Sequence, residues 1–245
     1  MIFEERKITL KDGRTAILKS PCVEDAEKLL NYIKKSCGET DYLARYPEEW
    51  NITVEQEEAW VNRLRSASDT LGITCYIDGE VVGNCEISFR GGMKTSHRAT
   101  IAIAILKDYW NLGIGSAMFE ELVAAAQKRG TEIMELEFIE GNERAKHLYE
   151  KFGFRVVSER PNAFELKDGT HLSEIYMQKY LYCLSNNRRY GFVFVASNII
   201  LLIYKSSHLD VHLKSTQTHT ARRFIESAGC ETLNRLSLRV SLWEP

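Results

Sequence analysis

The run Asp108-Tyr-Trp-Asn-Leu-Gly-Ile-Gly-Ser116, with the helix it opens, constrains this chain more than any other stretch. Upstream, Ala99-Thr-Ile-Ala-Ile-Ala-Ile105 is β-rich and apolar, which predicts a buried strand. Downstream, Ile114, Ala117, Met118, Leu122 and Ala125 recur at helical spacing. Lys128 and Arg129 fall in the last turn, and Gly130 stands where a left-handed cap belongs. The pattern is therefore strand, glycine turn and amphipathic helix. Gly113 and Gly115 carry no Cβ to hold a ligand away from the backbone. The unpaired N–H groups of the first helical turn, with the positive end of the helix dipole, face whatever sits there. That is an anion site, and a phosphate suits it. Two phosphate loops are excluded. A dinucleotide fingerprint needs a third glycine where Met118 stands, and a P-loop needs a Gly-Lys-Ser/Thr that is absent.

The next segment narrows the choice. Ile133-Met-Glu-Leu-Glu-Phe138 reads as another strand, and Asn142 opens a short helix closing on Leu148-Tyr-Glu-Lys-Phe-Gly-Phe154. Together the two units resemble the GCN5-related N-acetyltransferase (GNAT) superfamily. Its pyrophosphate-loop pattern, Arg/Gln-x-x-Gly-x-Gly/Ala, is met by Trp110-Asn-Leu-Gly113-Ile-Gly115, with Trp110 where the family has Arg or Gln. That departure removes a polar side chain and leaves backbone N–H groups to carry the site. The later signature, Asn-x-x-Ala-x-x-Leu-Tyr-x-x-x-Gly-Phe, is met by Asn142-Glu-Arg-Ala145-Lys-His-Leu148-Tyr149-Glu-Lys-Phe-Gly153-Phe154. The resemblance covers about residues 8–181. It implies acetyl-CoA as co-substrate, with no metal. The pantetheine arm would lie along Ile103, Ala104 and Ile105, and the pyrophosphate among Leu112, Gly113, Ile114, Gly115 and Ser116. Asn142 would hydrogen-bond the cofactor, although it also reads as a plain helix N-cap.

The remaining text fits the same plan. Residues 7–18 alternate around Asp12-Gly13, a hairpin turn pair. Ala26, Leu29, Leu30 and Ile33 recur at helical spacing, and Thr53-Val-Glu-Gln56 is a capping box opening a second helix. Residues 71–77 and 81–89 flank Asp78-Gly79 as another hairpin, and a last one runs from 154 to 180. The predicted order is β-α-α-β-β-β-α-β-α-β-β, an α/β layer structure with one mixed sheet flanked by helices.

Beyond residue 181 the text changes. Residues 182–245 hold eight basic and four acidic residues, a net +4, against 24 basic and 30 acidic before them, a net −6. This tail has an apolar run, 191–204, and no clear period, so a poorly ordered or loosely packed extension is expected, with a partner-binding or membrane-surface segment as the other reading. A single domain over residues 1–181 is expected ahead of it. Six cysteines show neither a Cys-x-x-Cys pair nor metal-ligand spacing, so free thiols are expected. The first residues lack signal-peptide character, and no run approaches the roughly 20 apolar residues of a membrane span. A cytoplasmic location follows as an expectation. No basic stripe marks residues 1–181 for nucleic acid, and oligomeric state is open, a homodimer included.

Acetyl transfer from a thioester to an amine needs a base for the amine, donors for the carbonyl and an acid for the sulfur. By position in the signature, Tyr149 would protonate the departing thiolate, a phenol near ~10 serving a thiolate near ~8.5. Its other reading is a tyrosine packed on the core. Resemblance to ribosomal-protein N-terminal acetyltransferases places a catalytic glutamate at Glu137; otherwise Glu137 shares a solvated strand face with Glu135. Glu86 and a water chain are the alternatives, and His147 reads as a surface residue. Residues 36–50, acidic and aromatic, suit an amine-bearing acceptor, small molecule or protein. The competing function is a non-catalytic module that binds CoA as a sensor or scaffold.

Overall fold

The computed structural model describes residues 1–181 throughout and, after them, the backbone of four strands at 190–195, 199–205, 209–214 and 239–241. Contacts divide the chain into two units, Met1–Leu181 and Tyr182–Pro245.

The first unit follows the sequence order, with the opening hairpin resolved into β1 (Arg6–Thr9) and β2 (Thr15–Lys19). Then come α1 (Ala26–Gly38), α2 (Val54–Ser66), β3 (Thr70–Ile77), β4 (Glu80–Phe89) and β5 (Arg98–Ile105). α3 (Ile114–Arg129), β6 (Ile133–Ile139), α4 (Glu143–Lys151), β7 (Arg155–Glu165) and β8 (His171–Tyr180) complete it. The eight strands form one sheet in the order β1-β2-β3-β4-β5-β6-β8-β7, and every neighbouring pair is antiparallel except β5–β6. Local signals hold. Thr53 Oγ1 accepts the Gln56 N–H at 3.3 Å while Gln56 Oε1 accepts the Thr53 N–H at 2.9 Å, closing the capping box of α2. Gly130, at φ +74°, ends α3 in the left-handed conformation.

Alternation along the strands divides the core. Leu71, Ile73 and Cys75 of β3, Cys85 and Ile87 of β4, and Met134 and Leu136 of β6 pack with Met118, Phe119 and Leu122 of α3 and Tyr149 of α4. Tyr76, Val81 and Leu106 pack in a second cluster with Leu29 and Tyr32 of α1 and Val61 of α2. Helices therefore cover both faces of the sheet.

The feature that makes the site is a failure of pairing. β5 runs beside β4 along its whole length, from Gly83↔Ile105 to Phe89↔Ala99. Against β6 it pairs only at Arg98↔Ile133, Ala99↔Met134 and Thr100↔Glu135. After Thr100 the two parallel strands part.

In the second unit β9 (Tyr190–Val195), β10 (Ile199–Lys205) and β11 (Leu209–Lys214) pair antiparallel in sequence, and β12 (Arg239–Ser241) lies parallel to β11. Within the apolar run 191–204, residues 191–195 lie on β9 and 199–204 on β10, where continuous hydrophobicity leaves no period-two signal. The packing expected of the tail concerns side chains outside the described residues.

Candidate active site

Where β5 and β6 part, a cavity of about 650 Å³ opens. Residues 101–105 of β5 form one wall, Leu136, Glu137, Phe138 and Ile139 of β6 another, and the first turns of α3 and α4 its ends. Side chains reach two carbonyls at the end of β5, of which only that of Ile105 faces the parted side. The Tyr32 hydroxyl donates to Ala104 O at 2.7 Å, and the Trp110 indole N–H donates to Ile105 O at 2.6 Å.

The glycine turn behaves as an anion cradle. Asn111 at φ +63° and Gly113 at φ +99° are both left-handed, which turns the chain sharply into α3. The first intrahelical bond runs from the Ala117 N–H to Gly113 O at 3.1 Å, so the N–H groups of Ile114, Gly115 and Ser116 precede it. The two glycines differ in purpose. A Cβ on Gly113 would meet nothing within 4 Å, so the need there is the backbone conformation and the open space beside it. A Cβ on Gly115 would lie 3.0 Å from Leu148 Cδ2 and 3.4 Å from Ile105 Cδ1. Gly115 thus lets α3 approach α4 and β5, a correction to its reading as a ligand-facing gap.

Three cations line this end of the cavity, Lys11, Arg144 and Lys151, and none has a carboxylate partner among the described residues. The Lys151 ammonium donates to Ser116 Oγ at 2.9 Å. The Arg144 guanidinium lies 3.0 Å from the centroid of the Trp110 ring. Arg144 is thus held on the face of the tryptophan and brings a cation beside position 110. Sequence reasoning missed Arg144 because its role depends on Trp110, which lies 34 positions away. Asn142 caps α4, its Oδ1 accepting the Ala145 N–H at 3.2 Å, and lines the cavity as well.

Tyr149 is 6% exposed, packed against Phe119 and Phe138 with ring centroids 5.5 and 5.7 Å away. Its hydroxyl has no hydrogen-bond partner among the described residues, and the residue lines the cavity. Burial pushes the phenol up to about 12, with the Arg144 charge opposing. That widens its distance from a thiol, so at neutral pH the hydroxyl is a hydrogen-bond donor more than a source of free protons. Glu137 is exposed on β6, opposite Tyr176 of β8, and lines the cavity. Its neighbour Glu135 is not solvated, as expected, but 2% exposed and clamped by two arginines.

The structure therefore brings Ile103, Ala104, Ile105, Gly113, Ile114, Gly115, Ser116, Asn142, Glu137 and Tyr149 to one cavity. Leu112 stands apart from its lining: the side chain packs against the core and its carbonyl accepts the Lys11 N–H at 3.1 Å. Glu86 accepts from Ser88 Oγ at 2.8 Å and His147 lines the cavity. Loop 36–50 reaches the cavity through Glu39, Thr40 and Tyr42. Glu39 accepts the Lys107 N–H at 2.7 Å, Glu48 pairs with Lys167 at 2.5 Å, and Glu49 accepts the Tyr46 N–H at 2.6 Å. Trp50 donates to Cys37 Sγ at 3.2 Å. Most of the loop's acidic and aromatic groups are thus engaged within the fold, and of its aromatics Tyr42 alone lines the cavity. Among the described residues no group of three His, Cys, Asp or Glu could hold a metal, and no helix is long and apolar enough to cross a membrane.

A splayed parallel pair, a helix start suited to an anion and a buried phenol meet at this cavity, and residues 38–154 match the model of the acetyltransferase (GNAT) family. The chain is an acetyl-CoA-dependent N-acetyltransferase by class. Among curated proteins it is 25% identical over 124 residues to the L-amino acid N-acetyltransferase AaaT of Escherichia coli (strain K12), covering 50% of this chain and 76% of that protein. It is 37% identical over 67 residues to the ribosomal protein bS18 alanine N-acetyltransferase of the same organism, covering 27% of this chain and 45% of that protein. That match spans under half of the relative. In fold it is similar to the GNAT-family acetyltransferase of Streptococcus pneumoniae, with TM-score 0.63 and 24% identity over 68% of this chain and 99% of that one. A further neighbour is yncA of Salmonella typhimurium, solved with its cofactor acetyl-CoA, with TM-score 0.58 and 16% identity over 67% of this chain and 92% of that one.

Proposed function

We propose that the enzyme moves an acetyl group to a primary amine by direct attack, with Glu137 as base and Tyr149 as donor to the leaving sulfur. The observation that carries this is the meeting of both residues with the α3 cradle in one cavity between the parted strands. Acetyl-CoA, when bound, supplies the thioester. The N–H groups of Ile114, Gly115 and Ser116, with Lys11, Arg144 and Lys151, would hold its phosphates. The main-chain groups of Ile101 and Ile103 that face the parted β6 would take the amide-bearing arm. Glu137, exposed at the mouth, takes the proton that the amine must lose, directly or through one water. The new C–N bond forms as the C–S bond breaks, and the Tyr149 hydroxyl donates to the sulfur as charge gathers on it. Free thiols at Cys22, Cys37, Cys75 and Cys85 support a reducing, cytoplasmic setting.

The test is titration of acetyl-CoA by calorimetry, followed by a panel of amines with detection of released thiol. Binding with thiol release on an amine supports the reading. Binding with no release on any amine would leave only a CoA-binding module, and no binding would remove the site altogether.

A further inference from the structure

A second groove of about 570 Å³ lies on β5, β6, β8 and β7, and Glu137 and Glu174 line both it and the acetyl cavity. Its floor is a buried carboxylate. Glu135 Oε1 accepts from Arg90 Nε at 2.9 Å and Nη2 at 2.7 Å, and Oε2 accepts from Arg98 Nε at 2.9 Å and the Tyr176 hydroxyl at 2.5 Å. Burial alone would raise Glu135, but the bonds from Tyr176, Arg98 and Arg90 outweigh it and hold the carboxyl below its usual range. One carboxylate thus neutralises one of two guanidinium charges. Arg90 and Arg98 both leave Nη1 without a partner among the described residues, and the Arg90 side chain is 51% exposed. Glu174 is occupied by Arg160 at 2.8 Å, and Lys94 adds a further cation to the lining. The groove therefore has a free carboxylate, Glu137, at the end shared with the acetyl cavity, and surplus positive charge along its floor.

The spacing of these charges selects an acceptor. Glu135 and Glu137 are two residues apart on one strand face, roughly 7 Å. A molecule with its amine at Glu137 can place an anion on the arginine pair only if amine and anion lie within that reach. We infer that the acceptor is a small amine bearing a carboxylate, an amino acid in chemical class, its carboxylate held by the Nη1 groups of Arg90 and Arg98. With Nε and Nη2 of each arginine already on Glu135, the Nη1 groups are the charged donors left for a second carboxylate. The inference rests on the role proposed for Glu137 and adds the group that orients the acceptor.

Matched acceptors test it: an L-amino acid, its α-amide and the amine left by decarboxylation, each followed by thiol release. The acid should exceed the amide in kcat/KM by about tenfold or more, the worth of one hydrogen bond to a charged group. In Arg90→Gln that ratio should fall toward one, through KM rather than kcat. Arg90→Lys, which keeps the charge and loses the Nη1 donor, should restore part of it and serves if the glutamine variant fails to fold. Equal rates for acid and amide in the unaltered enzyme, or acetylation confined to an acidic peptide, would overturn the inference. If no amine releases thiol, the functional reading fails instead. The groove is then tested by calorimetry with an N-acetyl amino acid against its amide, and equal affinities would overturn the assignment.

Discussion

At the scale of single residues, Tyr149 shows how burial edits a role that sequence assigns. Its phenol, pushed to about 12, stays protonated across the working range. Tyr149→Phe should therefore lower kcat about 10- to 100-fold, as one lost hydrogen bond to a charged group would. Acetyl-CoA affinity should change little, because the charge on sulfur develops only in the transition state. Steady-state kinetics with calorimetry checks the split, and a loss of affinity equal to the loss of rate would contradict it. The same burial has a stability consequence. Tyr149 rises from 10.0 to about 12 and the Cys75 thiol from 9.0 to about 12, both mainly by desolvation. Raised folded values mean that the unfolded chain ionises first. Their contribution is complete below the ordinary values, fades once pH climbs past about 9, and is gone beyond about 12. Denaturant midpoints taken from pH 8 to 11 should fall steadily. The signature residues Asn142, Tyr149 and Phe154 were legible because one helix and its exit carry them. Arg144 was not, since the tryptophan that gives it meaning arrives through tertiary packing.

At the scale of elements, helix starts and stops were written locally and could be read. Thr53, Asn142 and Gly130 each act within one turn of chain. Asn142→Ala should cost about 1 kcal/mol through the lost cap, seen as a lower melting temperature with α4 retained. The pair of glycines gives a sharper contrast. Gly113→Ala should cost about 1–2 kcal/mol from left-handed strain, and should weaken CoA binding because its Cβ enters the open space of the cradle. Gly115→Val should cost about 1–3 kcal/mol from overpacking, with Leu148 and Ile105 already in its way. Thermal melts and CoA titrations on both variants distinguish the two causes; matching profiles would show that the glycines share one purpose. The parting of β5 from β6 was illegible, because strand partnership is decided between segments far apart in sequence. Both runs simply read as apolar strands.

At the scale of the whole molecule, the division at Leu181 has a physical anchor. Leu181 is 6% exposed and its N–H donates to Glu132 O at 2.7 Å, which ties the last residue of the first unit into that unit. Residues 1–181 alone should melt as a single cooperative unit and keep acetyl transfer, since every residue of both grooves lies within them. Melting, sedimentation and thiol release compared with the full chain check this, and loss of folding in the short form would move the boundary. The tail is also where sequence said least, since an unbroken apolar run announces neither a strand face nor a partner. The parted strands have one more implication, for tolerance to change. A cleft opened by omitted ladder bonds offers main-chain atoms, and these persist whatever side chain is attached. Ile101, Ile103 and Leu136 can drift among apolar residues and leave the donors in place, whereas a proline or a one-residue deletion in either strand would move every donor at once. Such a site is written in chain path more than in spelling.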